Sequence, residues 1–286
     1  MIQQIAIIGA GGKMGSWFLE YFSKKRGIRL SVYDINAVSI KPSTMVIIYE
    51  SVCACVKNAD LVLICVPISS TPLVIKECAS NMKTGAVLAE ISSIKSKTFA
   101  TLKKYSKNII PLCIHPMFGP GASSIKDTKV LMIPVKNKEN ELKILYSVLG
   151  GANIIVLRNA RIHDKCMAII LGLTYYSNIV FANLLSKEEF PYLEKISGTS
   201  FRVQLLLIES ILTDDPELIV SIISENLRVR KYIHNYVNEA DRLRNTIYKK
   251  NSSKIRANLL NIKSIFEQSR NLQTSYRQLY DILGTK

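Results

Sequence analysis

The sequence predicts an α/β domain built on a parallel, doubly wound sheet, followed by an all-α domain. Three observations carry this. Short apolar runs alternate with amphipathic segments from Gln4 to about Arg158, the pattern of strands joined by crossover helices. The first apolar run opens onto a glycine-rich turn and then a helix. After Arg158 the strand-like runs stop; from His163 onward apolar residues recur at helical spacing, with breaks at Pro191 and Pro216. The boundary stands near residue 158, dividing 1–158 from 159–286.

The opening strand is Gln4-Ile5-Ala6-Ile7-Ile8, and Gly9-Ala10-Gly11-Gly12-Lys13-Met14-Gly15 follows it. Ser16 to Lys24 then shows helical spacing of Trp17, Phe18 and Tyr21. Glycines let a backbone approach a pyrophosphate, and a helix N-terminus stabilises its charge. The pattern departs from G-x-G-x-x-G. It is one residue longer read from Gly9, and Ala10 replaces the first glycine read back from Gly15. A second strand, Leu30-Ser31-Val32-Tyr33, ends at Asp34, about 20 residues past the loop. An acid there accepts hydrogen bonds from both ribose hydroxyls and repels a 2′-phosphate, which favours NAD over NADP. For NADP, Lys41 or a nearby basic residue would have to reach that phosphate. The alternative for Asp34 is a strand-end acid that opens a turn with Asn36.

Further strands are expected at Met45–Ile48, at Leu61-Val62-Leu63-Ile64-Cys65-Val66 closed by Pro67, and at Ala86–Glu90. The last leads into Ile91-Ser92-Ser93-Ile94-Lys95-Ser96 and a helix around Phe99 to Tyr105. Ile109 to Ile114 is a buried strand that delivers His115-Pro116-Met117-Phe118-Gly119-Pro120, where two prolines and a glycine force a sharp turn. The strand ends Gly9, Pro67, Ser93 and His115 then share one sheet edge, where such folds place ligands. His115 is either a proton acceptor there or a satisfied structural histidine. Val130 to Ile133, a helix near Glu139 to Leu149, and Ile154 to Leu157 complete the domain.

Composition narrows the classes. At 286 residues and 48% hydrophobic, the chain can bury a large core. Its formal charge of +16 suggests attraction to anions. The basic residues are spread along the chain with no nucleic-acid motif, so a solvated basic surface is expected rather than a nucleic-acid partner. Six cysteines match no paired zinc spacing and read as buried thiols in a reducing cytoplasm. Met1-Ile2-Gln3-Gln4 runs straight into a strand, unlike a signal peptide. Cys166 to Leu185 holds no charge and approaches a spanning length, but it contains Thr174, Ser177, Asn178 and Asn183. A helix buried on most of its surface, in a domain core or a subunit interface, is expected there rather than a membrane span.

Gly9 to Gly15, Ser93-Ile94-Lys95, His115 to Pro120, His163-Asp164-Lys165-Cys166-Met167-Ala168 and Ser197 to Arg202 occur in the order found in prephenate dehydrogenase, and nearly the whole chain resembles that family. The glycines are common to many dehydrogenases. His-Pro-Met-Phe-Gly-Pro followed by His-Asp-x-x-Met-Ala is far more specific. The resemblance implies a Rossmann domain, a helical dimerisation domain and a cytoplasmic homodimer. It implies oxidative decarboxylation of prephenate, a dianion, to 4-hydroxyphenylpyruvate in tyrosine biosynthesis, with NAD as hydride acceptor and no metal. Some members carry a fused chorismate mutase or a regulatory domain, for which this chain has no room.

Carried onto these residues, the resemblance makes His115 the acceptor of the substrate hydroxyl proton. Ser93 orients His115 or the cofactor amide. Lys95 either adds positive potential at the substrate or lies on a helix surface. Arg202 takes a substrate carboxylate, ahead of a face (Val203, Leu206, Leu207, Ser210) expected in the core. Tyr175 stands where some relatives have a substrate-contacting histidine, and it can still donate a hydrogen bond. The cofactor set is Gly9, Gly11, Gly12, Lys13, Met14, Gly15, Asp34, Val66, Pro67 and Ser93. His163 reads as structural, Asp164 as a favourable acid in a first helical turn, and His234 has no role. Tyr175 leaves arogenate open as the substrate, and the wider 6-phosphogluconate-dehydrogenase-like group is a further alternative. A non-catalytic nucleotide- or nucleic-acid-binding protein is the rival from another class.

Overall fold

The computed structural model describes residues 2–36 and 45–284. Lys41 lies outside them. The chain divides into two compact units between Met167 and Ala168.

The first unit holds eight strands in one sheet of order β3-β2-β1-β4-β5-β6-β7-β8. The strands are β1 (Gln4–Ile8), β2 (Arg29–Tyr33), β3 (Val46–Ile48), β4 (Leu61–Ile64), β5 (Val87–Glu90), β6 (Ile110–Pro116), β7 (Lys129–Ile133) and β8 (Asn153–Val156). Its helices are α1 (Lys13–Ser23), α2 (Val52–Val56), α3 (Thr71–Asn81), α4 (Ser96–Tyr105), α5 (Lys138–Val148) and α6 (Ala160–Met167). Strand side chains alternate between two cores. Ile5, Ile7, Leu61 and Leu63 meet Phe18, Phe22, Leu145 and Val148 on one face. Ala6, Ile8, Val62 and Ile64 meet Val52, Cys55, Ile75 and Leu102 on the other. Both faces are covered, so the strands read as continuous apolar runs.

One pairing departs from the expected parallel sheet: β6 and β7 are antiparallel, with His115 opposite Leu131. A parallel return needs a crossover, usually a helix, and residues 117–128 contain none. That connection is instead pinned to α1. Trp17 Nε1 donates to the Ala122 carbonyl at 2.7 Å, and its ring packs 4.8 Å from that of Phe118.

The second unit is helical. A π-helical turn at Ala168–Leu173 continues from α6 and leads into α7 (Thr174–Leu185). Then come α8 (Phe190–Lys195), α9 (Thr199–Leu212), α10 (Pro216–Ser224), α11 (Val229–Tyr248), α12 (Ser252–Glu267) and α13 (Leu272–Ile282). Pro191 and Pro216 start helices, where a missing N–H costs nothing.

Three expectations need correction. The run Cys166–Leu185 is not buried on most of its surface within the chain. Met167, Ala168, Gly172 and Asn178 are buried, while Ile169, Ile170, Val180 and Leu184 are exposed. By length and hydropathy Ala160–Leu185 could cross a membrane. Its first turns instead bury His163 and Asp164 in the first unit. On α9 the core face is Leu205, Ile208 and Ile211, not the stripe containing Leu206 and Leu207, which are about half exposed. That helix carries two apolar stripes, and one neighbour layer covers only one. Finally, Cys53 is exposed and donates to Asn81 Oδ1, whereas Cys55, Cys78 and Cys113 are buried. All six thiols are free, and burial pushes the Cys55 thiol up to about 12.

Glu141 shows how a local acid sets an element. Its carboxylate accepts from the N–H groups of Val135, Lys136 and Asn137 at 2.7–2.9 Å, while Asn137 Oδ1 caps α5 through the Asn140 N–H. Glu141→Ala should therefore lower unfolding stability by roughly 1–3 kcal/mol through unpaired donors. Glu141→Gln should recover part of the loss, because it keeps only one acceptor oxygen. Denaturant unfolding of both variants measures this, and equal losses would contradict it.

Candidate active site

At the end of β1 the chain turns at Gly9, whose φ of +87° favours glycine. Its N–H donates to the Tyr33 carbonyl at 2.8 Å, and a Cβ there would lie 2.6 Å from the Cys65 carbonyl oxygen. A Cβ on Gly15 would lie 1.9 Å from the Gly9 carbonyl oxygen, so α1 can begin this close to the loop only as glycine. Gly12 caps α1 without a side chain. Gly11, Gly12 and Lys13 are exposed, and Met14 is half-buried. Asp34 leans against this loop: Oδ2 accepts from the Gly11 N–H and Oδ1 from the Asn36 N–H, both at 2.9 Å. The acid thus opens a turn with Asn36 and also reaches the glycine loop. Val66 and Pro67 follow β4 on the same sheet edge. A helix N-terminus open at the surface, a glycine loop exposed at Gly11 and Gly12 and a carboxylate at the end of β2 together fit a dinucleotide.

His115 is the penultimate residue of β6 and keeps 5% exposure. Its Nδ1 lies 3.0 Å from His163 Nε2, and His163 Nδ1 lies 2.9 Å from Asp164 Oδ1. Asp164 also accepts from the Lys95 N–H at 2.8 Å, the Ser96 N–H at 2.9 Å and the Ser96 hydroxyl. Its carboxylate therefore caps α4 from across the chain. His115 Nε2 has no partner among the described residues. No fully buried polar side-chain atom there lacks one, so Nε2 is the ring nitrogen that meets solvent.

Beneath the histidines lies a closed ionic pair. Lys95 Nζ donates to Glu90 Oε1 at 2.7 Å and to the Ile114 carbonyl, and both side chains are fully buried. Glu90 also accepts from the Ser92 N–H and the Cys113 thiol. Burial, then the nearby His163 and Lys95, holds His115 well below the ordinary histidine value. Burial lowers His163 as well, against the pull of Asp164. Burial alone would raise Asp164, but bonds from His163, Ser96 and the Lys95 N–H bring it below the usual carboxylate value.

Several sequence expectations change here. Lys95 is neither a substrate-facing nor a helix-surface lysine: its charge is spent on Glu90 and a carbonyl inside the fold. Half-buried Ser93 makes no hydrogen bond to His115; the partner that orients that ring is His163. Asp164 acts on the N-terminus of α4 rather than on its own helix. His163, Asp164 and Glu90 were not recognised as site-forming. Glu90 carried a signal, a charge closing the apolar run Ala86-Val87-Leu88-Ala89-Glu90, whereas His163 and Asp164 stand in the polar stretch Arg161-Ile162-His163-Asp164-Lys165 and were marked only by the His-Asp-x-x-Met-Ala motif.

In the second unit, Tyr175 donates to Asp214 Oδ2 at 2.7 Å, so its proton is already committed. Burial and this bond raise its pKa. Arg202, in the first turn of α9, is exposed and forms no ion pair among the described residues.

Residues 21–157 match the family model for the prephenate dehydrogenase nucleotide-binding domain, and residues 159–261 match that for its dimerization domain. The glycine loop lies ahead of the matched range and stands on its geometry. A probable arogenate/prephenate dehydrogenase of Methanocaldococcus jannaschii is 29% identical over 82% of this chain and 54% of its own length. The T-protein of Haemophilus influenzae is 29% identical over 84% of this chain and 61% of its own. The chain thus spans little more than half the length of these relatives. A crystal structure of Aquifex aeolicus prephenate dehydrogenase, in complex with hydroxyphenyl propionate and NAD+, superposes with a TM-score of 0.75 at 19% identity. It covers 94% of this chain and 99% of that one, and it shares the fold. With both domain models matched in order along one chain, the protein belongs to the prephenate dehydrogenase family.

Proposed function

We propose that this chain is an NAD-dependent dehydrogenase that oxidatively decarboxylates prephenate, with His115 Nε2 as the proton acceptor. The observation that carries the reading is the buried His115, at the carboxyl end of β6, on the same sheet edge as the glycine loop and Asp34. The first compact unit, through Met167 rather than the expected boundary near residue 158, forms the NAD-binding domain, and the second unit forms the helical substrate and dimerisation domain. The Gly9–Gly15 loop and the start of α1 hold the pyrophosphate, Asp34 the adenosine ribose, and Val66, Pro67 and Ser93 border the nicotinamide. When bound, NAD supplies the hydride acceptor. His115 takes the C4 hydroxyl proton, so a carbonyl forms as the hydride leaves and loss of CO2 makes the ring aromatic. Arg202 takes a substrate carboxylate through paired hydrogen bonds.

Two copies pair through the second unit. Support comes from its exposed Ile169, Ile170, Leu184, Leu206, Leu207 and Leu212, and from the description of the matched domain. Six free thiols suit a reducing cytoplasm. Arogenate is the second reading for the substrate, favoured by the name of the archaeal relative.

Reduced-cofactor absorbance, with prephenate and arogenate each tried with NAD and NADP, tests the assignment. Prephenate with NAD should give the highest kcat/KM. Equal or better efficiency with NADP would remove the role given to Asp34.

His115→Asn should lower kcat on the order of 10²–10⁴-fold with little change in KM. Because burial depresses His115, wild-type kcat/KM should stay level as pH falls through about 6.5 and decline only well below it. A kcat close to wild type in the variant, or an acid limb at or above that pH, would place the base elsewhere.

Arg202→Gln should raise KM for prephenate strongly, by roughly 2–5 kcal/mol of lost pairing, and leave NAD binding nearly unchanged. Arg202→Lys should recover only part. Steady-state kinetics with each substrate varied would show an unchanged KM if Arg202 is a surface residue.

A further inference from the structure

We infer that Asp164 and His163 are positioning residues for the base: they fix which nitrogen of His115 carries hydrogen and stabilise the charge that forms when it takes a proton. This rests on the reading of His115 as the acceptor. The tautomers follow in order from Asp164. A carboxylate only accepts, so His163 Nδ1, 2.9 Å from Asp164 Oδ1, must carry a hydrogen. A neutral His163 then has its lone pair on Nε2. That atom faces His115 Nδ1 at 3.0 Å, and one hydrogen must lie between them. It belongs to His115 Nδ1. The lone pair of His115 is left on Nε2, the nitrogen that meets solvent.

The surroundings favour this arrangement over a protonated His163 that would put the hydrogen on His115 Nε2. Burial and the Lys95 ammonium both disfavour a cationic ring in the resting protein. Glu90 is held by Lys95, the Ser92 N–H and the Cys113 thiol, and does not bond either ring. Among the described residues, Asp164 is thus the one carboxylate bonded to the pair. Four donors keep it ionised: the Lys95 and Ser96 N–H groups, the Ser96 hydroxyl and His163. When His115 Nε2 takes a proton, the new charge is stabilised by this carboxylate through the His163 ring, by polarisation of two hydrogen bonds in series. Without Asp164 the imidazolium would face Lys95 with no carboxylate in its hydrogen-bonded chain.

Nitrogen-15 NMR of the histidine rings tests the tautomers directly, in the unliganded protein and without turnover. The chain has three histidines, and exposed His234 serves as the internal reference. At neutral pH, His115 and His163 should both carry hydrogen on Nδ1. A wild-type His115 with hydrogen on Nε2 overturns the inference. In Asp164→Asn, the single His115 tautomer should give way to a mixture. Its kcat should fall on the order of 10²–10⁴-fold, with KM for prephenate and for NAD within about threefold. The acid limb of kcat/KM should move to lower pH, since loss of the carboxylate weakens the protonated state. A structural role alone would lower the melting temperature and leave that limb in place. Should Asp164→Asn fail to fold, His163→Gln serves. Its amide oxygen can accept from His115 Nδ1, so the tautomer should hold while kcat still falls, because glutamine has no ring through which the Asp164 carboxylate reaches His115. An unmoved limb in folded Asp164→Asn, or a wild-type kcat in folded His163→Gln, overturns the inference. If the tautomers are as stated but neither prephenate nor arogenate is turned over, the positioning stands and the assigned reaction fails.

Discussion

The carboxylate of Asp164 is the interaction on which the site depends. It joins three parts of the chain that are far apart in sequence: the start of α4, the His163 ring beside it, and through that ring the end of β6. An ionised carboxylate taken out of water without partners costs several kcal/mol, and this one is compensated by four donors. Removing any donor leaves the charge less well paired, so the network holds together as a unit. Lys95 serves it twice, by its N–H to Asp164 and by its ammonium to Glu90. That explains how a lysine can be wholly buried at the start of a helix. Breaking a buried pair of this kind typically costs about 3–5 kcal/mol, because the surviving charge is stranded.

The fold was largely legible in the sequence because both faces of the sheet are covered. Ile5-Ala6-Ile7-Ile8 and Leu61-Val62-Leu63-Ile64 are apolar at every position, and a parallel sheet between two helical layers demands that. The reversal at β7 was not legible. Val130 to Ile133 looks the same in either direction, and its direction is set by the missing helix in the preceding connection. The face of α9 was misread for a related reason. Leu205, Leu206, Leu207 and Ile208 are consecutive apolar residues, so periodicity does not choose between stripes. Packing against one neighbour layer chose Leu205 and Ile208.

The candidate site was legible where chemistry and chain geometry coincide, as in the glycine loop, Asp34 and His115. It was less legible where a polar residue serves another polar residue. Lys95 and Ser93 were assigned to ligands because the sequence shows residue types, not partners. In the structure the Lys95 ammonium is consumed by Glu90, and the orienting role near His115 falls to His163. Tyr175 follows the same rule: a phenol that sequence leaves available is tied to Asp214. Buried polar groups find partners, so a candidate from sequence is tested first by what already occupies its hydrogen bonds.

The position of α6 follows from this chemistry. The sequence changes from alternating strands to helices near residue 158, yet Ala160–Met167 belongs to the first compact unit. Two of its residues, His163 and Asp164, make bonds to β6 and to the start of α4, and those bonds hold it there. Among the described residues, His115, His163, Asp164, Lys95 and Ser96 of this network all belong to the first unit. Burial makes His115 a weak base by itself, and Lys95 makes it weaker. A buried cation-averse histidine is a poor proton acceptor unless a carboxylate is coupled to it. The helix that carries that carboxylate is thus held to the sheet by the same bonds that make the histidine usable.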